Sequence, residues 1–278
     1  MRRLGAVLWL VAFGCGQRTV HVGLVPAAPG AGELVPDPEW AFKSGRFSPD
    51  VSQIAFHALV NGTDDIAGVM KSDGTEPRQL AVTHSPLTSV AWSPDGRQLY
   101  FTSSTGIESV DPQGTGLPTL VTESTDATDL DVSSDGAALL WVKSDGSLHS
   151  LQRNQSGATA KEEAHHGSDP RFDENGAVPG YVYVGVSPTG HPLQRDILGT
   201  TGPSGNVTSD LGPFASVSVL GKDRYVVTSG VGIERVTQDG MRTVLLTRTG
   251  TMEVDASVDG KRILYLVSGK GSLFVMNP

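Results

Sequence analysis

The stretch Ala91-Trp92-Ser93-Pro94-Asp95-Gly96, followed by Leu99-Tyr100-Phe101, decides the fold of this 278-residue chain. Pro presets the first corner of a tight turn, Asp hydrogen-bonds back to the backbone, and Gly accepts the left-handed conformation. The aromatic and aliphatic run after the turn is typical of a strand. Related stretches return about every forty residues, a period that indicates repeated supersecondary units. They are Phe47-Ser48-Pro49-Asp50, Ser133-Ser134-Asp135-Gly136, Asp173-Glu174-Asn175-Gly176, Leu220-Gly221 and Ser257-Val258-Asp259-Gly260.

The strands that follow these turns are expected to be buried on both faces. Several are apolar at consecutive positions, as from Leu139 to Val142 and from Ile263 to Val267, whereas strands covered on one face alternate apolar and polar residues. A third strand beginning at a glycine, as at Gly106, and a fourth strand complete most units. Six units of four strands predict an all-β fold, a six-bladed β-propeller of four-stranded antiparallel blades around a channel.

The repeat register also predicts how the ring closes. In good copies an apolar residue of the fourth strand precedes the apolar residue before the next turn by twelve positions, as Leu80 precedes Trp92. The same offset from Phe47 falls on Val35, whereas the last unit has only three strands. We therefore expect Leu34-Val35 to pair with the strand from Leu273 to Met276, since sheet edges are usually covered. The alternative is that Leu34-Val35 belongs to a tether and the last blade has three strands.

The N-terminus has the pattern of an export signal. Arg2 and Arg3 precede an apolar run from Leu4 to Phe13 that is too short to span a bilayer, and Gly14-Cys15 follows. The only cysteine of the chain, placed at the end of such a run, resembles the lipobox of bacterial lipoproteins, in which the cysteine is lipidated. An ordinary secretory signal is the alternative. The sequence therefore predicts a lipoprotein signal peptide at 1–14, lipidated Cys15 with a flexible tether at 15–31, and the propeller at 32–278.

Charge and motifs exclude several function classes. The formal net charge of −9 is unsuited to nucleic acid, which requires clustered Lys and Arg, and we expect membrane attachment through the lipid only. His165, His166 and Asp169 are the best candidate metal ligands, but adjacent residues of an extended segment point in opposite directions, so we interpret the segment as a loop between blades. The sequence contains no nucleophile elbow, zinc-protease motif or P-loop. We expect no cofactor, no metal and no enzymatic activity. Asp95, Asp135 and Asp259 recur because the turn requires them, so we interpret them as structural.

Polar residues on the first strand of each unit form the candidate site. Three sets are defined by their distance from the turn positions Asp50, Asp95, Asp135, Asn175, Leu220 and Asp259. The near set, four residues before, is Arg46, Ala91, Asp131, Arg171, Ser216 and Asp255. The far set, six before, is Ser44, Ser89, Asp129, Asp169, Phe214 and Glu253. The apolar set, three before, is Phe47, Trp92, Val132, Phe172, Val217 and Ala256.

Strand alternation places the near and far sets on one face, opposite the apolar set. Because the first strands border the channel of a propeller, we expect a polar lining that is acidic on balance. The proposed binding residues are Arg46, Asp129, Asp131, Asp169, Arg171, Glu253 and Asp255. They form either a site for a basic peptide segment or a cation, or the wall of a hydrated channel that avoids burying charge.

The stretch from Ala91 to Gly96 with Leu99-Tyr100-Phe101 resembles the propeller repeat of the TolB family, and the resemblance extends from Leu34 to Pro278. It implies a six-bladed propeller and, often, a periplasmic protein-binding role. We expect a monomeric, non-enzymatic, lipid-anchored module at the periplasmic face of the bacterial outer membrane. It would engage an envelope protein or peptide through its channel mouth or rim. Two alternatives stay open: a propeller enzyme, lyase or hydrolase, with a scattered active site at the channel mouth, and an accessory subunit whose rim docks onto a larger complex.

Overall fold

The computed structural model describes residues 32–34, 40–62, 64–83, 89–173, 180–186, 191–196, 205–207, 214–221, 224–237, 239–268 and 271–278. Within these ranges the regular structure is entirely β-strand, and no helix is long and apolar enough to cross a membrane. The predicted signal peptide, Cys15 and the tether lie outside the described residues.

The described strands form five antiparallel sheets. The first contains β2 (Trp40–Phe47), β3 (Gln53–Val60), β4 (Asp64–Lys71) and β5 (Arg78–Thr83). The second contains β6 (Val90–Trp92), β7 (Leu99–Ser103), β8 (Gly106–Val110) and β9 (Thr119–Thr122). The third, of seven strands, contains β10 (Ala127–Val132), β11 (Ala138–Lys143), β12 (Ser147–Gln152), β13 (Lys161–Asp173), β14 (Gly180–Gly185), β15 (Leu193–Asp196) and β16 (Gly205–Asn206). The fourth contains β17 (Ser216–Val219), β18 (Arg224–Thr228), β19 (Gly232–Thr237) and β20 (Arg242–Thr247). The fifth contains β21 (Thr251–Ala256), β22 (Ile263–Val267), β23 (Ser272–Met276) and β1 (Gly32–Leu34).

The seven-stranded sheet arises because one long strand belongs to two units. Residues 161–166 of β13 pair with β12, and residues 167–173 pair with β14. The loop that the sequence analysis placed at His165, His166 and Asp169 is therefore wrong: all three lie in β13. His166 is exposed and Asp169 is buried. The outer strand of one unit continues without a break into the first strand of the next.

The N-terminal strand closes the last unit. β1 pairs antiparallel with β23, with Leu34 opposite Leu273 and Gly32 opposite Val275. Leu34 is buried in an apolar cluster with Phe42 and Leu273. The predicted pairing is confirmed for Leu34, while Val35 lies outside the described residues.

The repeated turns have the hydrogen bonds that their sequence predicts. Ser93 Oγ donates to Asp95 Oδ1 at 2.6 Å, and the same carboxylate oxygen accepts the N–H of Arg97 at 3.1 Å. Gly96 has a φ of 68°. Equivalent bonds join Ser48 to Asp50, Ser133 to Asp135 and Ser257 to Asp259. The structural role assigned to Asp95, Asp135 and Asp259 is confirmed.

Apolar clusters fill the spaces between neighbouring sheets. One contains Phe56 of the first sheet with Leu264 of the fifth, and another contains Val69 of the first sheet with Phe101 of the second. Every residue of β7 and of β22 is buried. The sheets therefore pack face to face, as the consecutive apolar runs predict.

Candidate functional site

The first strands of the units line up side by side around a closed ring. β2 contacts β6, and the contacts continue through β10, the second half of β13, β17 and β21, which in turn contacts β2. Because these strands are the inner edges of their sheets, each has backbone N–H and C=O groups without a strand partner on its inner side. Buried groups of this kind require other hydrogen-bonding partners.

Side chains of the near and far sets supply those partners across the junctions between units. Asp131 Oδ2 accepts the N–H of Phe172 at 2.8 Å, and Asp255 Oδ2 accepts the N–H of Phe47 at 2.9 Å. Asp169 Oδ2 accepts the N–H of Val217 at 2.6 Å.

At other junctions a serine hydroxyl accepts the backbone N–H of the next first strand. Ser89 Oγ accepts the N–H of Leu130 at 3.1 Å, and Ser216 Oγ accepts the N–H of Val254 at 3.1 Å. Each of these five side chains thus satisfies a backbone N–H at the edge of the next first strand. The hydrogen bonds of the channel lining therefore help to hold neighbouring units together.

Two arginines and five carboxylates share this interior. The Arg46 guanidinium forms an ion pair with Glu253 and lies 3.5 Å from Asp169 Oδ1, and Arg171 pairs with the same Asp169 carboxylate. Within the described part of the chain, Asp129, Asp131 and Asp255 have hydrogen bonds but no ion pair. The predicted lining is acidic on balance, with two arginines among the seven residues. Asp129 accepts the N–H of Asp169, and Asp131 and Asp255 interact with Arg46 through its charge.

Burial changes the protonation of these groups. Desolvation raises the pKa of Asp131 to about 7 and that of Glu253 to about 7, against the opposing charge of Arg46. Desolvation also raises the pKa of Asp129, Asp169 and Asp255. Desolvation alone would lower the pKa of Arg46, but the carboxylates around it raise that pKa above its ordinary value. The channel therefore holds carboxyl groups that change charge near neutral pH.

A cavity of about 560 Å³ opens at the end of the ring where the Ser-Pro-Asp turns lie. Its charged lining comes from the near set, and its apolar lining comes mainly from the apolar set; Asp129, Asp169 and Glu253 do not line it. The lining includes Arg46, Asp131, Arg171, Asp255, Phe47, Trp92 and Phe172.

Strand alternation predicted that the apolar set faces away from the channel, and for the mouth this prediction is wrong. Trp92 Nε1 donates to the carbonyl oxygen of Arg46 at 3.1 Å, so the indole lies in the gap between β6 and β2. The twist of the strands turns these side chains into the gaps between units, from which they line the cavity. Phe47, Trp92 and Phe172 are therefore site residues that sequence reasoning missed.

The near set has a two-fold pattern around the ring. In chain order its members are Arg46, Ala91, Asp131, Arg171, Ser216 and Asp255, so the order Arg, small, Asp occurs twice. Arg46 Nη1 donates to the carbonyl oxygen of Gly45 at 3.0 Å, and Arg171 Nη1 donates to that of Pro170 at 2.8 Å. Each Asp accepts the N–H of the Phe that follows an Arg. This pattern can be read from the sequence by arranging the near set in the order of the units around the ring.

In the described ranges, no group of three or more His, Cys, Asp or Glu is arranged to hold a metal ion.

Comparison with known proteins shows similarity of fold. No protein-family model matches the chain, and no match was found among curated protein sequences. TolB from Acinetobacter baumannii has a TM-score of 0.58 and 14% identity, over 88% of this chain and 65% of that one. The β-propeller domain of Cps50 (Swd1) from Myceliophteria thermophila has a TM-score of 0.62 and 9% identity, over 89% of this chain and 99% of that one. The chain folds as a β-propeller. Streptogramin B lyase is also similar, with a TM-score of 0.56 and 13% identity over 89% of this propeller and 97% of the lyase chain.

Proposed function

We propose that this propeller is a six-bladed, non-enzymatic binding module of the bacterial envelope that holds a protein or peptide partner at its channel mouth. Six blades are supported by the contacts among the first strands, which form a ring through β2, β6, β10, β13, β17 and β21. In this proposal the seven-stranded sheet is two blades joined through β13. The N-terminal signal pattern supports a lipid anchor at Cys15, and the fold similarity to TolB is compatible with an envelope location.

The observation that carries the proposal is the mixed cavity at the mouth. Binding sites for small groups are concave, mostly apolar, and contain a few placed polar groups. The mouth has aromatic walls from Phe47, Trp92 and Phe172 and charged groups from Asp131 and Asp255. Backbone N–H groups hold both carboxylates in place. A site held in this way needs little ordering when a partner binds.

The test is site-specific photocrosslinking with the full chain in bacterial cells. A photoreactive amino acid is placed at Ser134, which lines the mouth, and in a matched variant at Thr119, which is exposed on the outer strand β9. We expect a discrete crosslinked partner from Ser134 that is absent from Thr119 and is lost when Asp131 and Asp255 are changed to Asn. Equal products from both positions, or none from Ser134, would reject the mouth as the binding site.

The lipid anchor has its own test. Cys15→Ser should move the chain from the membrane fraction to the soluble fraction and abolish incorporation of a labelled fatty acid. A variant chain that stays membrane-bound without label would leave the ordinary secretory signal as the better interpretation.

One observation favours a second function, a lyase or hydrolase. Asp131 faces the cavity with a pKa of about 7, which is the range suited to a general acid or base near neutral pH. We rank it second because the carboxylate already accepts the N–H of Phe172 as part of a blade junction. Turnover of a polysaccharide or peptide by the purified chain, abolished in Asp131→Asn, would reverse this order.

A further inference from the structure

The charge balance of the channel points to the chemistry of the partner. Arg46 and Arg171 are matched by Glu253 and Asp169, with which they form ion pairs. Asp129, Asp131 and Asp255 form no ion pair in the described ranges, and they share the charge of Arg46 with Glu253 and Asp169. Asp131 and Asp255 both line the mouth cavity, and they occupy equivalent places in the two-fold pattern of the near set. Five carboxyl groups thus share two guanidinium groups, and the mouth presents two fixed carboxylates that form no ion pair of their own.

Comparing the junctions of the ring shows whether the charge of Asp131 and Asp255 is needed to join neighbouring units. At other junctions a serine accepts the same kind of N–H, as Ser89 does from Leu130 and Ser218 does from Ala256. A neutral oxygen is therefore sufficient to satisfy the strand edge. The negative charge of Asp131 and Asp255 exceeds what the junctions require, and burying a charge that has no ion pair is unfavourable.

The aromatic walls complete a site for a cation. Phe47, Trp92 and Phe172 line the same cavity, and the faces of aromatic rings attract ammonium and guanidinium groups. Phe47 already has such a contact with a group of this protein, because the Arg262 guanidinium lies 5.5 Å from its ring centroid. Carboxylates together with aromatic rings are the chemistry that recognises Lys and Arg side chains.

Lys and Arg side chains supply such a cationic group on a peptide partner of the kind proposed above.

We infer that the mouth takes a peptide segment that presents a Lys or Arg side chain. Its cationic group lies between Asp131 and Asp255 against the aromatic rings. The inference rests on the proposed function, because it names the chemical class of the partner at that site.

The experiment uses three blocked peptides, Gly-Gly-X-X-Gly-Gly with an acetylated N-terminus and an amidated C-terminus, where X is Lys, Gln or Glu. Binding to the full chain is measured by calorimetry and by the change in tryptophan fluorescence, since Trp92 lines the cavity. We expect the Lys peptide to bind at least about tenfold more tightly than the Gln peptide, and the Glu peptide to bind more weakly still.

The variant Asp131→Asn/Asp255→Asn should reduce the affinity for the Lys peptide to that for the Gln peptide. Asn keeps an oxygen that accepts the backbone N–H, so the blade junctions remain satisfied. The matched control Asp64→Asn/Glu162→Gln removes two charges from exposed positions and should leave the affinity unchanged. If the mouth variant fails to fold, the wild-type chain still decides: raising salt from about 0.05 to about 0.5 M should weaken the Lys peptide more than the Gln peptide.

The outcomes separate this inference from the proposed function. If the Gln or Glu peptide binds as tightly as the Lys peptide, the cationic specificity is overturned while peptide binding at the mouth stands. If none of the three peptides binds, the inference is also overturned. The crosslinking from Ser134 then tests independently whether the mouth binds a protein partner.

Discussion

Replacing Arg46 by Met tests whether the channel is an electrostatic network or a set of independent hydrogen bonds. Met keeps the apolar stem and removes the guanidinium that pairs with Glu253 and Asp169. Arg46 also opposes the desolvation of Asp131. Without it, the pKa of Glu253 and that of Asp131 must rise above the value of about 7 that each has in the intact chain.

The size of the effect depends on pH. At pH 6 both carboxyls are already largely protonated in the folded chain, so losing the arginine changes little. At pH 8 both are ionised in the intact protein, whereas in Arg46→Met each must take up a proton or stay buried and charged. Because the pKa of each group is about 7 in the intact chain, keeping the group protonated at pH 8 in the variant costs about 1.4 kcal/mol. The two groups together should lower the free energy of unfolding by about 2–3 kcal/mol at pH 8.

Urea denaturation of the purified chain at pH 6 and pH 8 measures this difference. Arg97→Met is the control, because the Arg97 side chain is 86% exposed, and its loss should stay within about 0.5 kcal/mol at both pH values. A loss in Arg46→Met that is the same at pH 6 and pH 8, or smaller than about 1 kcal/mol at pH 8, would refute the network.

Three further predictions concern stability. Gly106→Ala should lower the free energy of unfolding by at least about 2 kcal/mol, because φ is 135° and the new Cβ would lie 2.1 Å from Thr122 O. In the control Gly116→Ala the new Cβ meets open space, so urea denaturation should show no change in stability. Leu34→Ala should cost about 2–4 kcal/mol in chemical denaturation because Leu34 is buried in the closing pair, and an unchanged midpoint would reject closure by β1. Asp131→Asn should stabilise the chain at pH 8 and lose that benefit near pH 4, since the raised pKa penalises the folded state only where the unfolded carboxyl is ionised; a pH-independent difference in urea midpoints would contradict it.

The parts of the fold that local chemistry determines were predictable from the sequence. Ser93, Asp95 and Gly96 make a turn whose bonds are confined to six residues, so their spacing alone identifies it. Closure by Leu34 followed from the constant offset between the fourth strand and the next first strand. In both cases the deciding interactions repeat at fixed intervals along the chain.

The continuous strand β13 was not predictable in the same way. The second and fourth sheets separate the outer strand from the next first strand by residues that belong to neither, as Ser124 lies between β9 and β10. Between residues 161 and 173 the chain changes partner from β12 to β14 without such a break. The change of partner coincides with a shift in register between Ser168 and Arg171, where Asp169 has a φ of 49°, but pairing with two strands depends on the ring as a whole.

The candidate site was predicted in its residues but not in its contacts. Alternation along each first strand identified Arg46, Asp131 and Asp255 as channel residues. Their partners lie on other strands: Asp131 bonds to Phe172, 41 residues away, and Asp255 bonds to Phe47, 208 residues away. Alternation also misplaced Trp92, because it treats a strand as flat whereas the twisted strands of a ring direct the residues next to the turn into the gaps between units.

Stability and binding should respond to Asp131→Asn in opposite directions, and this contrast distinguishes architecture from function. If the carboxylate served only the blade junction, Asn would satisfy the Phe172 N–H equally well and the chain would gain stability at pH 8 without losing anything. Serine already fills that role for Leu130 and Ala256. Asp131 destabilises the folded state, lines the same cavity as Trp92 and has an equivalent in Asp255 of the near set. Binding of a positively charged partner would explain why the carboxylate is present. Binding a cationic side chain would lower the pKa of Asp131, so proton release on adding the Lys peptide near pH 7 is the expected signature of that role.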